Sequence, residues 1–247
     1  MPFLALDAGN SSVKAAVWDG AWGETVRWPS DDASAATWAE RVSDLGAASE
    51  AGIASVVPDL TPVLVEAVWL AVGTEAVVIA SDLPLPFRMA YQTPHTLGTD
   101  RLAAAVAAHA FADSRPVIAL DAGSAITTEV VSAEPAYLGG AILPGPDLLR
   151  RALNRNTRQL PEVDWTLPAS VIGASTTEAI QAGLTALVVD GVSGLLARTV
   201  ATLGGDPLVL ATGGWGAWLA ERVPQIDRVE PHLVLEGVRL LTEAARR

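Results

Sequence analysis

The segment Leu4-Ala5-Leu6-Asp7-Ala8-Gly9-Asn10-Ser11 returns, nearly half of the 247-residue chain later, as Ile118-Ala119-Leu120-Asp121-Ala122-Gly123-Ser124-Ala125. Each copy reads as an apolar strand that stops at Asp-Ala-Gly and passes through small hydroxyl or amide residues into a second strand. That second strand is Ser12–Trp18 in the first copy and Ile126–Val131 in the other. Matching position and matching following strand point to duplication. The chain is therefore expected to fold as two related halves, 1–115 and 116–247.

Strand-length apolar runs alternate with longer segments of helical period, which argues for α/β halves with helices covering mixed sheets. In the first half, strands are expected near Glu24–Trp28, Gly52–Val57 and Ala76–Ile79, and helices over Ala35–Leu45, Thr61–Val72 and Thr99–Ala112. Asp82–Pro94 carries three prolines and no period, so it reads as a connector or binding loop. In the second half, Ala136–Leu143, Pro207–Ala211 and Ile226–Val229 read as strands. Pro146–Asn154, Ser175–Thr202, Gly214–Arg222 and Leu233–Ala245 read as helices, with Leu184–Leu196 a buried part of the second.

An Asp-x-Gly turn between two strands exposes backbone amides, and its glycine permits a positive φ and lets a phosphate approach the backbone. A carboxylate at the strand end can hold Mg²⁺, which favours few carboxylates plus phosphate oxygens. Asp7, Ala8, Gly9, Asn10, Ser11, Ser12, Val13 and Lys14 thus read as one nucleotide-phosphate loop, with Asp121, Gly123 and Ser124 as its counterpart. Thr212-Gly213-Gly214 follows an apolar strand and opens a helix, an arrangement suited to adenosine.

Gly98-Thr99-Asp100-Arg101 opens a helix. A carboxylate there is ordinary capping chemistry. The arginine beside it is not, because the dipole disfavours a cation at that end and an anion is needed to compensate it. Asp100 as general base and Arg101 as carboxylate anchor suit phosphoryl transfer to a hydroxyl on an acidic substrate. Ser175-Thr176-Thr177-Glu178 has the form of a capping box, whose hydroxyls could also touch substrate. His95, His109 and His232 show no metal-ligand spacing.

Composition closes several routes. A formal charge of −12 argues against a nucleic-acid partner, since phosphate backbones need a basic face. The absence of Cys removes disulfides, thiol catalysis and Cys-type zinc sites. No basic leader precedes Asp7 and no unbroken apolar run reaches membrane length, so neither secretion nor a membrane partner is expected and a cytoplasmic location follows. Half of the residues are apolar but only 5% aromatic, so Ala, Val, Leu and Ile must build the core. Lys14 is the only lysine, placed where an ammonium could reach a nucleotide's phosphates.

Three segments, Asp7–Ser11, Gly98–Arg101 and Asp121–Ala125, resemble in order the signature motifs of type III pantothenate kinase. That family lies in the superfamily of acetate and sugar kinases, heat-shock chaperones and actin. Tyr137–Gly145, Gln159-Leu160-Pro161, Ile172–Thr176 and Thr212-Gly213-Gly214 match in order as well. The resemblance implies two ribonuclease-H-like (actin-like ATPase) domains with a cleft between them, a homodimer, and phosphorylation of pantothenate by ATP, the first step toward coenzyme A. It implies that the Asp7–Lys14 segment, Ser124 and Gly213 bind ATP, with Asp7 near Mg²⁺. By the same resemblance Asp100 is the base, and Tyr91, Gly98, Thr99, Arg101 and Thr176 surround pantothenate, Thr176 close to the dimer interface. Asp121 would bind a monovalent cation, K⁺ or NH₄⁺. Ser11 and Ser124 stand where Thr is usual, and Glu129 stands where Asp is commoner. Two other readings remain: a kinase of the same superfamily for another small acid or sugar, and a catalytically silent nucleotide-binding regulator.

Overall fold

The structure, a computed structural model, describes residues 1–31 and 33–247. The chain divides into two compact units. The first comprises Met1–Ser114, Glu129–Gly139 and His232–Arg247, and the second Arg115–Thr128 and Gly140–Pro231.

In the first unit, β1 (Phe3–Ala8) is flanked by β2 (Ser12–Trp18) and β4 (Glu50–Ser55), with β3 (Val26–Pro29) and β5 (Val77–Val78) at the edges. β1 pairs antiparallel with β2 and parallel with β4. Every residue of β1 is buried, as expected for a central strand covered on both faces. Leu4 and Leu6 join a core with Trp38, Ile53, Leu64 and Val68. It is closed by α1 (Ala35–Ser43) and α2 (Thr61–Val72). Ser34 caps α1 by accepting from Thr37 N–H, and α2 stops at Gly73, whose φ of 73° is left-handed.

Beyond these helices, α7 (Leu233–Ala245) packs on β1 and β4, and α3 (Thr99–Phe111) packs on α7. Both contacts depend on small residues. Ala103, Ala104, Ala105, Ala107 and Ala108 are all buried on α3. A Cβ on Gly237 would collide with the Ala103 backbone. Gly237→Ala is therefore expected to destabilise the protein by about 1–3 kcal/mol through overpacking against atoms that cannot rotate away. Chemical denaturation would show it as a lower midpoint at unchanged slope.

The second sheet runs in the order β12-β11-β7-β8-β9-β6, with β10 paired to β8. Its strands are β6 (Arg88–Met89), β7 (Val117–Ala122), β8 (Ala125–Val131), β9 (Ala136–Gly139), β10 (Ile142–Pro144), β11 (Leu208–Thr212) and β12 (Arg228–Val229). The order β5-β4-β1-β2-β3 thus recurs as β12-β11-β7-β8-β9, and β7 pairs parallel with β11 as β1 does with β4. The mixed-sheet α/β expectation holds. The second unit also carries α4 (Pro146–Arg155), α5 (Thr176–Leu203) and α6 (Gly216–Ala220).

Four local expectations change. Ala136–Leu143 is two strands, because Gly139 turns at a φ of 102°. Asp82–Pro94 is not all loop: Arg88 and Met89 pair with Ala136 and Tyr137. The helix expected over Gly214–Arg222 shrinks to Gly216–Ala220 after the left-handed Gly213. Finally, α5 is not a buried helix. Ile180, Leu184, Val188, Val192 and Leu196 form one buried stripe, while Leu187 on another face is 57% exposed. By length and composition α5 is the one helix among the described residues that could cross a membrane. Its buried stripe instead packs Ile180 and Leu184 with Val163, Leu149, Leu153 and Trp165.

Candidate functional site

The first Asp-Ala-Gly hairpin is closed by backbone bonds and braced by side chains. Asp7 stands opposite Lys14 and Ala8 opposite Val13, and Gly9 N–H donates to the Ser12 carbonyl at 3.0 Å. Two residues of the strand region beyond it, which sequence reasoning passed over, brace the loop. Ser30 Oγ donates to the Gly9 carbonyl at 2.5 Å, and Arg27 Nε donates to Ser12 Oγ at 2.8 Å. Register alone brings Arg27 there, since it pairs with Lys14. Asp7 is buried, and Lys14 Nζ lies 3.4 Å from its Oδ2 with its own side chain more open. Neither Gly9 nor Gly123 takes a positive φ, contrary to the turn geometry expected of them. A Cβ would meet nothing nearer than 3.5 Å at Gly9 or 3.7 Å at Gly123, so these glycines clear space rather than relieve strain.

β1 and β4 are parallel neighbours, and their carboxyl ends lie side by side. Val56 N–H donates to the Ala8 carbonyl at 3.0 Å, extending the pairing past the strand end. From there Ser55 reaches α3: its N–H donates to Thr99 Oγ1 at 2.8 Å, and Thr99 Oγ1 donates back to the Ser55 carbonyl at 3.0 Å. This double bond of Thr99 to β4 sets the first turn of α3 next to the Asp7 hairpin, at the strand ends where α/β folds bind ligands. Ser55 had no signal in the sequence, because its partner is far along the chain.

Within that turn Asp100 is half-buried, and its Oδ1 accepts from Arg101 N–H at 2.8 Å. A Cβ on Gly98 would stand only 2.5 Å from this oxygen, so glycine is required for the carboxylate to hold its place. The anion that Arg101 needs at a helix N-terminus turns out to come from the chain itself. Arg101 Nε and Nη2 donate to Glu129 Oε1 and Oε2 at 2.7 and 3.0 Å, with Glu129 buried and Arg101 partly so. Burial alone would lower the guanidinium's pKa, but the Glu129 hydrogen bonds and charge hold it above its ordinary value. Tyr137 O–H donates to Glu129 Oε2 at 2.5 Å. Burial, then the Glu129 charge, push the Tyr137 phenol up, so it stays a donor. Tyr91 meets Tyr137 edge to face, with ring centroids 5.8 Å apart.

The second hairpin repeats the first in outline. Gly123 N–H donates to the Ala125 carbonyl at 2.9 Å. Two glycines grip it from outside: Gly145 N–H donates to the Ser124 carbonyl at 3.1 Å, and Gly213 sits at a φ of 83° beside Asp121. A Cβ on Gly213 would run into Asp121 Oδ1 and the Ala122 carbonyl oxygen. Thr176 begins α5 and is exposed. One half of the capping box forms: Ser175 Oγ accepts from Glu178 N–H, while Glu178 Oε2 accepts from the N–H of Ala174, one residue before the cap.

The Asp7–Lys14 residues, Tyr91 and Gly98–Arg101 thus belong to the first unit, and Asp121, Ser124, Thr176 and Gly213 to the second. No group of three or more His, Asp or Glu side chains suited to a metal gathers among the described residues. A single strand-end carboxylate beside backbone amides fits Mg²⁺ whose other ligands are phosphate oxygens and water. The Asp121 carboxylate, packed closely by Gly213, and the Ala122 carbonyl, which also accepts from Trp215 N–H, are hard oxygen donors of the kind a monovalent cation takes.

A duplicated sheet whose hairpins expose amides after an Asp-x-Gly strand end is the actin-like ATPase fold. Solved structures agree. A Baf family protein from Campylobacter jejuni superposes with a TM-score of 0.61 at 20% identity, covering 97% of each chain. A ROK family glucokinase from Streptomyces griseus, in complex with glucose and AMPPNP, gives 0.53 at 14% identity over 100% of this chain and 99% of that one. The particular family follows from sequence. The type III pantothenate kinase family model matches residues 3–198, and the chain belongs to that family. A type III pantothenate kinase from Symbiobacterium thermophilum is 40% identical over 199 residues, 78% of this chain and 74% of the relative.

Proposed function

We propose that this chain transfers the γ-phosphoryl group of ATP to the hydroxyl of pantothenate, forming 4'-phosphopantothenate in the first step of coenzyme A synthesis. The observation that supports the reading is the Ser55–Thr99 tie, which joins the helical turn carrying Asp100 to the end of β4, where Ser55 pairs with Ala8 of the first hairpin. Asp100 takes the hydroxyl proton as oxygen attacks phosphorus. The amides of Asn10 and Ser11, exposed at the hairpin tip, and Lys14 meet the phosphates, with Arg27 at the rim, and Asp7 holds the Mg²⁺ that accompanies ATP. Arg101 receives the pantothenate carboxylate, with Tyr91, Gly98, Thr99 and Thr176 around the rest of the molecule. Ser124 and Gly213 contact ATP, and Asp121 holds K⁺ or NH₄⁺.

The enzyme works as a cytoplasmic homodimer in which a second copy covers the apolar positions that α5 leaves exposed and lies close to Thr176. The halves 1–115 and 116–247 are its two duplicated modules. Coupled measurement of ADP release tests the reading. Pantothenate is expected to support turnover, and a panel of sugars and acetate is not. K⁺ or NH₄⁺ in place of Na⁺ is expected to raise the rate several-fold. Turnover on a sugar, or ATP binding with no phosphorylated acid or sugar, would overturn it.

A further inference from the structure

Glu129 stands where Asp is commoner, in the strand that follows the second Asp-Ala-Gly hairpin. In the structure it sits at the centre of a buried polar chain in the first unit. Arg101 donates to it through Nε and Nη2. Tyr137, fully buried, donates to Oε2. The three come from α3, β8 and β9, so no local propensity places them together. β9 in turn pairs with β6, where Met89 stands opposite Tyr137, and this carries Tyr91 two residues on to the Tyr137 ring. Gly139 completes the packing: its φ of 102° suits glycine, and a Cβ there would press on Tyr91 at 3.1 Å.

A guanidinium has five N–H donors in a fixed fork. Glu129 engages the Nε–Nη2 edge and thereby fixes the plane and rotation of the group, leaving Nη1 as the edge not bound to Glu129. A buried ion pair of this kind is a poor source of stability, and its best-attested benefit is to enforce one arrangement. It also makes the Arg101–Glu129 pair neutral overall, so the pair can attract an anion only by directed hydrogen bonds.

We propose that Glu129, itself oriented by Tyr137, is a positioning residue that presets Arg101 as a directional donor to the substrate carboxylate and so determines selection of an acid over its neutral analogue. The proposal rests on the reading that Arg101 faces pantothenate. It assigns the selectivity to a three-residue clamp, Arg101–Glu129–Tyr137, rather than to the charge of Arg101.

The test compares Glu129→Gln, Glu129→Asp and Tyr137→Phe with the wild type, on pantothenate and on pantothenyl alcohol, which has a hydroxyl in place of the carboxylate. Glu129→Gln cannot accept both arms of the fork. Its KM for pantothenate is expected to rise about ten- to a hundredfold, the size of a lost hydrogen bond to a charged group. Its kcat and KM for ATP should stay near wild type, and its preference for pantothenate over the alcohol should collapse. Glu129→Asp, which keeps two acceptor oxygens, should restore most of that preference. Tyr137→Phe removes one O–H and should shift KM in the same direction by a smaller factor, which keeps the proposal testable if Glu129→Gln folds poorly.

An unchanged KM and preference in both Glu129→Gln and Tyr137→Phe would overturn the proposal. So would a lower KM in Glu129→Gln, because Glu129 would then only offset the guanidinium's charge. A parallel loss of kcat and of both KM values with a lower Tm would also overturn it, by making the role merely structural. If the wild type itself does not phosphorylate pantothenate, the functional reading fails first, and the two failures are told apart.

Discussion

Replacing Asp100 by Asn is expected to leave the fold intact and to cut kcat by about a hundred- to ten-thousandfold, the range a general base contributes. Asn keeps the size of the side chain, and its Oδ1 can still accept from Arg101 N–H, the contact that Asp100 makes now. The Thr99 bonds to Ser55 that place the turn are untouched. What is lost is a group that can take a proton from the attacking hydroxyl. KM for either substrate should change little, because the interaction removed is made in the transition state. Coupled kinetics and a thermal melt on the same preparation check both halves. Activity within a few-fold of wild type would remove Asp100 from the role of base.

The second large effect is expected at Asp7. Asp7→Asn should lower kcat/KM for ATP by about a hundred- to a thousandfold, the cost of removing one preorganised electrostatic partner of a transferring phosphoryl group. Asp7 is only 5% exposed, whereas the Lys14 side chain is 27% exposed. Lys14 can therefore turn to solvent when its partner loses its charge, and the variant should still fold. Because Mg²⁺ arrives with the nucleotide, the variant should also need more Mg²⁺ for half-maximal rate. Lys14→Met should be milder, since the hairpin amides remain. An Asp7→Asn enzyme with wild-type Mg²⁺ dependence would contradict the assignment.

Much of this architecture could be read from the chain before the structure. The helices at Thr61–Val72 and Leu233–Ala245 end where the pattern places them, because cap chemistry and apolar period are local. The Asp-Ala-Gly repeat announced both hairpins and, with them, the recurring strand order. What escaped was non-local. Arg101 was recognised as a cation in need of an anion, but that anion, Glu129, lies on β8 and is joined to it only by tertiary packing. Ser55 and Arg27 owe their places to strand register, which single-strand patterns do not encode. β6 was hidden because two residues between prolines carry no period of their own. The apolar content of α5 was legible, but which positions face the core depends on α4 and Trp165, so the helix read as buried when only one stripe of it is.

The central claim, phosphoryl transfer from ATP to the hydroxyl of pantothenate, is tested most directly by the product. Incubating the purified chain with ATP, Mg²⁺, K⁺ and pantothenate, and following the reaction by phosphorus NMR and mass spectrometry, is expected to show a phosphomonoester on the pantothenate hydroxyl, formed in step with ADP. ADP and free phosphate with pantothenate unmodified, or phosphate on the carboxylate as an acyl phosphate, would contradict the account.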